Sequence, residues 1–419
     1  MTDLPVSVVI VSRGRPRSLM RTLMGISQIQ YWNFEVVVVA DPEGIKSAAA
    51  MPFPDDLKLV PFDTPNISEA RNLGLSYAAG EIIAYIDDDA VPEPMWLRHL
   101  VAPADRKDVA AMGGYVRGRN GISFQWKAAS LDSQGLPHSL SLDPEKATVM
   151  TPPKGYAIKT EGTNMAFRRD VLVSLGGFDP AFHYFLDETD LNMRLAKAGY
   201  ATAISPMAEV HHGYAENRMR TAARVPTDLF DIGASWAVFQ RKHVPQIDRP
   251  GQWRSMRDEQ RQRLLRFLQS GQLEPREIRR LMKRMDHGYA DGLDRKMVAA
   301  SLPKHAIEPF RRFPAAPMQA KMIISRPLTA AADRKSALKE LAKGNIVTLL
   351  ILSPTAIFHQ LSFDNDGLWV QKGGLFGKVQ RSEPLFKISS REKKAQREVA
   401  RVASQRGFKK QYIENLLNI

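Results

Sequence analysis

Glu81-Ile82-Ile83-Ala84-Tyr85-Ile86-Asp87-Asp88-Asp89-Ala90-Val91-Pro92 is the stretch whose reading decides the fold. Its apolar run lacks polar side chains on either face, which predicts a strand buried on both sides. Three consecutive carboxylates end it, and a proline follows that stops regular structure. In an open α/β sheet, ligands collect beyond the carboxyl ends of the strands. Three carboxylates gathered there repel one another unless a cation neutralises them. Oxygen ligands suit a hard ion, Mn2+ or Mg2+, and such an ion commonly bridges substrate phosphates. The plain alternative is a solvated acidic turn.

Working outward, the amino-terminal side alternates strands and helices. Val6 to Val11 is a β-branched run and predicts a buried strand, broken by Ser12-Arg13-Gly14-Arg15-Pro16. Arg17 to Ile29 has helical spacing at Leu19, Leu23 and Ile26. Glu35 to Ala40 is a second strand, closed by Asp41-Pro42-Glu43-Gly44, and Leu57 to Pro61 a third. Ser68 to Ala79 predicts a helix with Ser68 as its cap and Gly80 past its end. This alternation is that of a mostly parallel, doubly wound sheet.

On the carboxyl side, Trp96 to Leu100 starts a helix, and Val109 to Val116 is mixed in character, with Gly113-Gly114 breaking it. Residues 118–160 have no firm period and are expected to form a long loop with short pieces of structure. Gly162 to Arg169 predicts a strand leaving a turn, Asp170 to Leu175 a short helix and Asp187 to Ala198 a longer one. Ala201 to Ser205 is expected at a sheet edge, with Pro206 to Gly213 as the loop after it. Beyond residue 225 the chain turns basic. Ser255 to Gln269 and Pro275 to Met285 predict two basic helices, Ile346 to Leu352, Ile357 to Phe363 and Leu368 to Gln371 strands, and Ser390 to Gln405 and Gln411 to Leu417 helices.

The chain of 419 residues, 44% hydrophobic and 25% charged, has the composition of a folded globular protein. It has no cysteine, which excludes disulfides and thiolate metal sites. No basic region followed by an apolar core marks a signal peptide near Met1, and the run Ile346 to Leu352 is too short to span a bilayer. The expectation is a cytoplasmic protein, associated at most with the inner face of a membrane. The net charge of +14 is uneven: residues 1–230 hold 23 Lys/Arg against 27 Asp/Glu, and residues 231–419 hold 36 against 18. The second half therefore carries +18 and suits an anionic partner, with an anionic membrane met through residues 254–285 as the expected contact. None of the usual nucleic-acid-binding modules is recognisable, so no nucleic acid is expected. The expected division is 1–224, 225–300 and 301–419.

Several motifs fall in order: Ser12-Arg13 after the first strand, Asp41 after the second, Ala70-Arg71-Asn72-Leu73-Gly74 on a helix, and Asp87-Asp88-Asp89. Gly162-Thr163-Asn164-Met165, Gly176-Gly177-Phe178-Asp179, Asp187-Glu188-Thr189-Asp190 and Val210-His211-His212 follow. Over residues 5–215 this ordered set resembles glycosyltransferase family 2, whose fold is the α/β GT-A type. The resemblance implies metal-dependent, inverting transfer of a sugar from a nucleotide diphosphate, a UDP-sugar in the first instance, to a hydroxyl of a glycan or lipid-linked acceptor. It assigns Ser12, Arg13, Asp41, Arg71, Asp87 and Asp88 to the donor, Asp87, Asp89 and His212 to the metal, and Gly162 and Asn164 to the acceptor side. His211, next to His212, is expected to point elsewhere. Asp87 and Asp89 are the outer acids of a DxD motif.

Elementary chemistry asks for the same parts. Negative charge grows on a diphosphate leaving group, and a cation with an arginine stabilises it as it develops. A hydroxyl is a poor nucleophile until a base begins to take its proton. Asp187 and Glu188 open a helix, where the macrodipole favours ionised acids. The family's pattern favours Glu188 over Asp187 as the base. The other function classes compatible with the sequence are a nucleotidyltransferase and a nucleic-acid-binding protein using the basic half.

Overall fold

Valine, isoleucine and alanine fill both faces of the central strands because a helical layer covers each side. The computed structural model describes residues 3–409 apart from 214, 215 and 217; the helix expected over Gln411 to Leu417 lies outside the described residues. In chain order the first elements are β1 (Val6–Ser12), α1 (Pro16–Ile26), β2 (Phe34–Ala40), α2 (Pro42–Ala49), β3 (Leu57–Pro61), α3 (Ile67–Tyr77) and β4 (Ile82–Asp87). Next come β5 (Ala90–Pro92), α4 (Trp96–Val101), β6 (Val109–Arg117), β7 (Phe124–Trp126), β8 (Ala129–Leu131), β9 (Pro137–Ser139), β10 (Thr148–Met150) and β11 (Ala157–Lys159). β12 (Asn164–Arg168), α5 (Arg169–Ser174), α6 (Asp187–Lys197) and β13 (Ala201–His212) complete this part.

β1 pairs in parallel with both β2 and β4, and β2 with β3, giving the order β3-β2-β1-β4. Side chains alternate across each strand. Val8, Ile10, Val36 and Val38 pack with Leu19 and Leu23 of α1, while Val9, Val37 and Val39 pack with Ala70 and Leu75 of α3. The direction of winding reverses between β1 and β4, so a crevice opens beyond Ser12 and Asp87. The doubly wound reading of the sequence is therefore the observed one.

The sheet continues through antiparallel β12 and β6 to β13 and β10. Two expectations are corrected here. Gly113-Gly114 does not interrupt a strand: β6 runs unbroken and fully buried from Val109 to Arg117. Glycine is required because a Cβ on Gly114 would stand 2.0 Å from the Ala208 carbonyl oxygen. Ala201–Ser205 is not an edge strand followed by a loop. β13 runs twelve residues to His212, lies between β10 and β6, and absorbs Pro206 in an irregularity between Ser205 and Glu209. Residues 118–160 do hold short strands, as expected.

The helices α7 (Phe230–His243), α8 (Arg249–Gln269) and α9 (Pro275–Asp294) close over one side of this unit. Trp236 and Phe239 pack on Ala181, Phe182 and Leu186, and Lys242 and His243 both reach the buried Asp190 at 2.8 Å. Leu264 of α8 and Ile278, Leu281 and Met285 of α9 face inward, as their spacing predicts. A further sheet, ordered β14-β15-β17-β16, comprises β14 (Ala320–Ser325), β15 (Ile346–Ser353), β16 (Gln360–Phe363) and β17 (Trp369–Gly374), with α10 (Ala330–Ala342) and α11 (Arg391–Arg406). Ser390 caps α11 and Gly407 ends it at φ 74°. Arg406 ties this sheet to the first part. Its guanidinium donates to both oxygens of Glu93 at 2.9 Å and to Thr348 Oγ1 at 2.9 Å. Burial pushes the Glu93 carboxyl up, but Arg406 and His211 outweigh it and hold it far below the usual carboxylate range.

Candidate active site

Two strand pairings assemble the acidic turn with its partners. β4 delivers Asp87 at the carboxyl edge, and the next strand, β5, turns back to pair antiparallel with the end of β13, setting His212 opposite Ala90. The register brings His212 Nε2 to 3.1 Å from Asp89 Oδ1 and 4.0 Å from Asp87 Oδ2. One donor atom from each of Asp87, Asp89 and His212 lies within 4.8 Å of the other two. His211, one residue back, points to the opposite face and meets Glu93 at 2.8 Å, as strand alternation requires.

The donor set fits a hard divalent ion. His212 Nδ1 lies 3.0 Å from Gln125 Oε1, an acceptor, which favours the hydrogen on Nδ1 and leaves Nε2 facing the carboxylates. Burial lowers the basicity of the ring, but Asp89 and Asp87 outweigh it and raise it. Two lone pairs 3.1 Å apart at His212 and Asp89 call for a proton or a metal ion between them. Two carboxylates and a neutral imidazole make an oxygen-rich set that suits Mn2+, or Mg2+ with added water.

Asp88 faces the other way and is buried. Its Oδ2 accepts from Ser12 Oγ at 2.6 Å, across the crevice between β4 and β1, and its Oδ1 meets Arg15 at 2.8 Å. Burial pushes this carboxyl up to about 7, with Arg15 opposing and Asp89 adding to the rise. Arg15 also reaches Asp89 Oδ2 at 3.3 Å. Arg13 is more exposed and pairs with Asp63 at 3.0 Å.

Arg71, buried on α3, links the acidic turn to the start of α6. It contacts the Asp187 carboxylate, lies 3.8 Å from Asp87 Oδ1 and donates to the Gly162 carbonyl at 3.3 Å. A Cβ on Gly162 would stand 3.0 Å from the Arg71 guanidinium, so glycine lets the arginine lie against the backbone. Thr163 donates to Asp87 at 2.7 Å. Burial pushes the Asp187 carboxyl up to about 7, with Arg71 opposing and Glu188 adding to the rise. At Asp187, burial and the neighbouring Glu188 thus oppose the ionised state that the macrodipole and Arg71 favour. Glu188 behaves differently: burial pushes it up, but Lys159 at 3.0 Å and Arg71 outweigh burial and hold it below the usual range. Lys159 also pairs with Glu161 at 3.4 Å.

The chain enters α6 through Phe185 and Leu186, both in the left-handed region at φ 73° and 66°. Neither is a glycine, and each such residue costs on the order of 1–3 kcal/mol. The strain aims the first turn of α6, with Asp187 and Glu188, at Arg71 and Lys159. Beside the acidic turn lies a cavity of about 350 Å3, within the size range of small-molecule sites. Ser12, Arg13, Arg15, Arg71 and Asp87 line its polar end, and Val9, Val39, Phe62 and Tyr85 its apolar floor.

Two residues assigned to the site from sequence have their polar atoms engaged in structural hydrogen bonds. Asn164, expected on the acceptor side, is fully buried. Its Oδ1 accepts from Trp96 Nε1 at 2.8 Å, and its Nδ2 donates to the carbonyls of Ala208 and Tyr115 at 2.8 and 3.0 Å. It satisfies backbone left over by the β13 irregularity, and no atom remains for an acceptor. Asp41, expected to hold the donor, has both carboxylate oxygens engaged by backbone N–H groups. Its Oδ1 accepts from Gly44 N at 3.0 Å and its Oδ2 from Gly14 N at 2.8 Å, so it caps α2 and fixes the turn after β1. Sequence reasoning missed Arg15, Gln125, Lys159 and Glu161. Only Lys159 and Glu161 left a signal, two apart in an extended segment and hence on one face.

The fold and the site together define an α/β protein whose acidic turn, at the switch point of its sheet, gathers three side chains able to ligate a cation. A family model described as Glycosyltransferase like family 2 matches residues 4–225, and the chain belongs to that family, with its GT-A fold. It is 28% identical over 261 residues to the O-antigen biosynthesis protein RfbC of Myxococcus xanthus, covering 56% of this chain and 19% of the relative. It is 31% identical over 198 residues to the succinoglycan biosynthesis protein ExoM of Rhizobium meliloti, covering 44% of this chain and 59% of the relative. The chain thus spans less than two thirds of the length of each. A solved structure of the mannosyltransferase PcManGT from Pyrobaculum calidifontis, in complex with GDP-Man and Mn2+, aligns at a TM-score of 0.39 and 16% identity, covering 70% of this chain and 87% of that one. No helix among the described residues is long and apolar enough to cross a membrane.

Proposed function

We propose that the protein is a metal-dependent, inverting glycosyltransferase that moves a sugar from a nucleotide diphosphate, a UDP-sugar in the first instance, to a hydroxyl of a surface glycan or lipid-linked acceptor. The convergence of Asp87, Asp89 and His212 beside an arginine-lined cavity carries this reading. The surface-polysaccharide context is suggested by the names of the two relatives, O-antigen and succinoglycan biosynthesis proteins. The catalytic unit would be residues 1–224, with 225–300 as a helical cover and 301–419 as an appended α+β region. A divalent cation held by Asp87, Asp89 and His212 would neutralise charge on the leaving diphosphate. Arg71 and Arg15 would lie along the phosphates, and Ser12, Arg13 and Asp88 near the nucleoside. Gly162 would face the acceptor.

Glu188 acts as the base. The acceptor oxygen bonds to the anomeric carbon as that carbon's bond to the phosphate oxygen breaks, and the hydroxyl proton passes to Glu188. Attack opposite the leaving group inverts the centre. The environments of the two neighbouring acids support the assignment: Asp187 is pushed up, whereas Glu188 is held ionised and able to accept a proton. Lys159→Met removes the cation that depresses Glu188, so the acid limb of kcat/KM should move to higher pH. Activity would then be lost sooner on acidification and kept at high pH. An unmoved acid limb would detach Glu188 from the proton transfer.

Exposed cations of α8 and α9, among them Arg254, Arg261, Arg279 and Lys283, support contact with an anionic membrane through residues 254–285. The reaction itself is tested by incubating nucleotide sugars with the protein and Mn2+. Release of free nucleoside diphosphate is expected, from a UDP-sugar first. Release of pyrophosphate from a nucleoside triphosphate and a sugar phosphate would instead make the protein a nucleotidyltransferase.

A further inference from the structure

The three parallel strands of the second sheet, β14, β15 and β17, send the loops at their carboxyl ends to one edge. Those loops hold several of the most exposed large apolar side chains of the described residues. Leu328 follows β14 and is 98% exposed, while Ile357 and Phe358 follow β15. Leu385, Phe386 and Ile388 lie on a third segment, and exposure at these five positions runs from 56% at Phe386 to 82% at Ile388. Residues 355–358, 374–376 and 385–388 form one surface. Gly374 N donates to Ile357 O at 3.0 Å, Phe376 N to Thr355 O at 3.1 Å, and Lys387 N to Phe376 O at 3.0 Å. The Phe376 and Phe386 rings lie 5.4 Å apart.

Cations ring this apolar tip. Residues 376–397 contain seven Lys/Arg against two acids, Glu383 and Glu392. Lys378 stands 4.9 Å over the Phe358 ring, and Arg381, Lys387 and Lys393 are exposed. Aromatic and aliphatic tips among cations match the chemistry of a membrane interface, where rings enter the headgroup region and lysines meet anionic lipid. A second copy of the chain is disfavoured, because it would set two surfaces of the same positive sign together.

We propose that the edge formed by Ile357-Phe358 and Leu385-Phe386-Lys387-Ile388 inserts into the headgroup region of an anionic bilayer. This deepens the membrane contact proposed for residues 254–285 by naming an apolar anchor on a different element, and it rests on no step of the transfer reaction. The test is co-sedimentation with vesicles of phosphatidylcholine containing about a third phosphatidylglycerol, at low and high salt. The wild-type chain is expected to bind, less at high salt. Phe358→Ser/Phe386→Ser should bind at least about tenfold more weakly at both salts, since each ring buried contributes on the order of a tenfold preference. Melting temperature should change little, because both residues are more than half exposed. Wild-type binding by that double variant, together with loss of binding by Arg261→Glu/Lys283→Glu, would overturn the apolar anchor and leave the basic helices as the contact. No vesicle binding by the wild-type chain would overturn both.

Discussion

Glu188→Gln is expected to lower kcat by about 10²–10⁴-fold, the usual contribution of a positioned general base. Glutamine keeps the shape of the side chain and can still accept a hydrogen bond from Lys159, so the first turn of α6 should stay in place. What is lost, on the proposed mechanism, is the site that receives the acceptor's proton. Binding of a nucleoside diphosphate should be unchanged, because Glu188 does not line the cavity beside the acidic turn. Asp187→Asn should behave differently. Asp187 contacts Arg71, and Arg71 lies 3.8 Å from Asp87, so its loss should loosen the arginine and raise KM for the donor. Rates and donor affinities of the two variants, measured side by side, separate the roles. Wild-type turnover by Glu188→Gln with an inactive Asp187→Asn would transfer the base to Asp187.

Asp89→Asn should lower kcat/KM in Mn2+ by about 10²–10³-fold, a loss typical of removing one group that stabilises transition-state charge. The change removes a carboxylate from the proposed set of three ligands and leaves His212 with a single acid. The fold should tolerate it. Arg15 keeps its 2.8 Å pair with Asp88, and β5 keeps its register with β13. More Mn2+ should recover part of the rate, because Asp87 and His212 still converge. Full activity in Asp89→Asn, with or without added metal, would remove Asp89 from the cation site.

The central strands and their acidic end were legible because their physics is local. Runs such as Val36-Val37-Val38-Val39 are tolerable only between two helical layers. Three acids at such a strand's end are tolerable only with a counter-charge. The features that were not legible depend on contacts distant in sequence. Gly113-Gly114 looks like a break, yet glycine is needed there because β13 approaches so closely. Pro206 looks like a strand end until the irregularity in β13 absorbs it. Asn164 sits in a polar motif, but strand alternation turns it toward Trp96 and the carbonyls of β6 and β13. Asp41 reads as a free acid after a strand, whereas its local role as a helix cap uses both oxygens. Lys159 is 29 residues from Glu188, and no spacing rule joins them. In the basic half the charge was visible and the exposed apolar edge was not, since burial of Phe358 and Phe386 is decided by neighbours the sequence does not name.

The most direct measurement is the melting temperature of the wild-type chain with UDP, taken with Mn2+ and again with the metal chelated. If Asp87, Asp89 and His212 hold a cation that the diphosphate completes, UDP near 100 times its Kd should raise the melting temperature by about 5 °C only when Mn2+ is present. Asp89→Asn should abolish most of that shift. An equal rise with the metal chelated, or no rise in either condition, would contradict a cation-bridged diphosphate at this site.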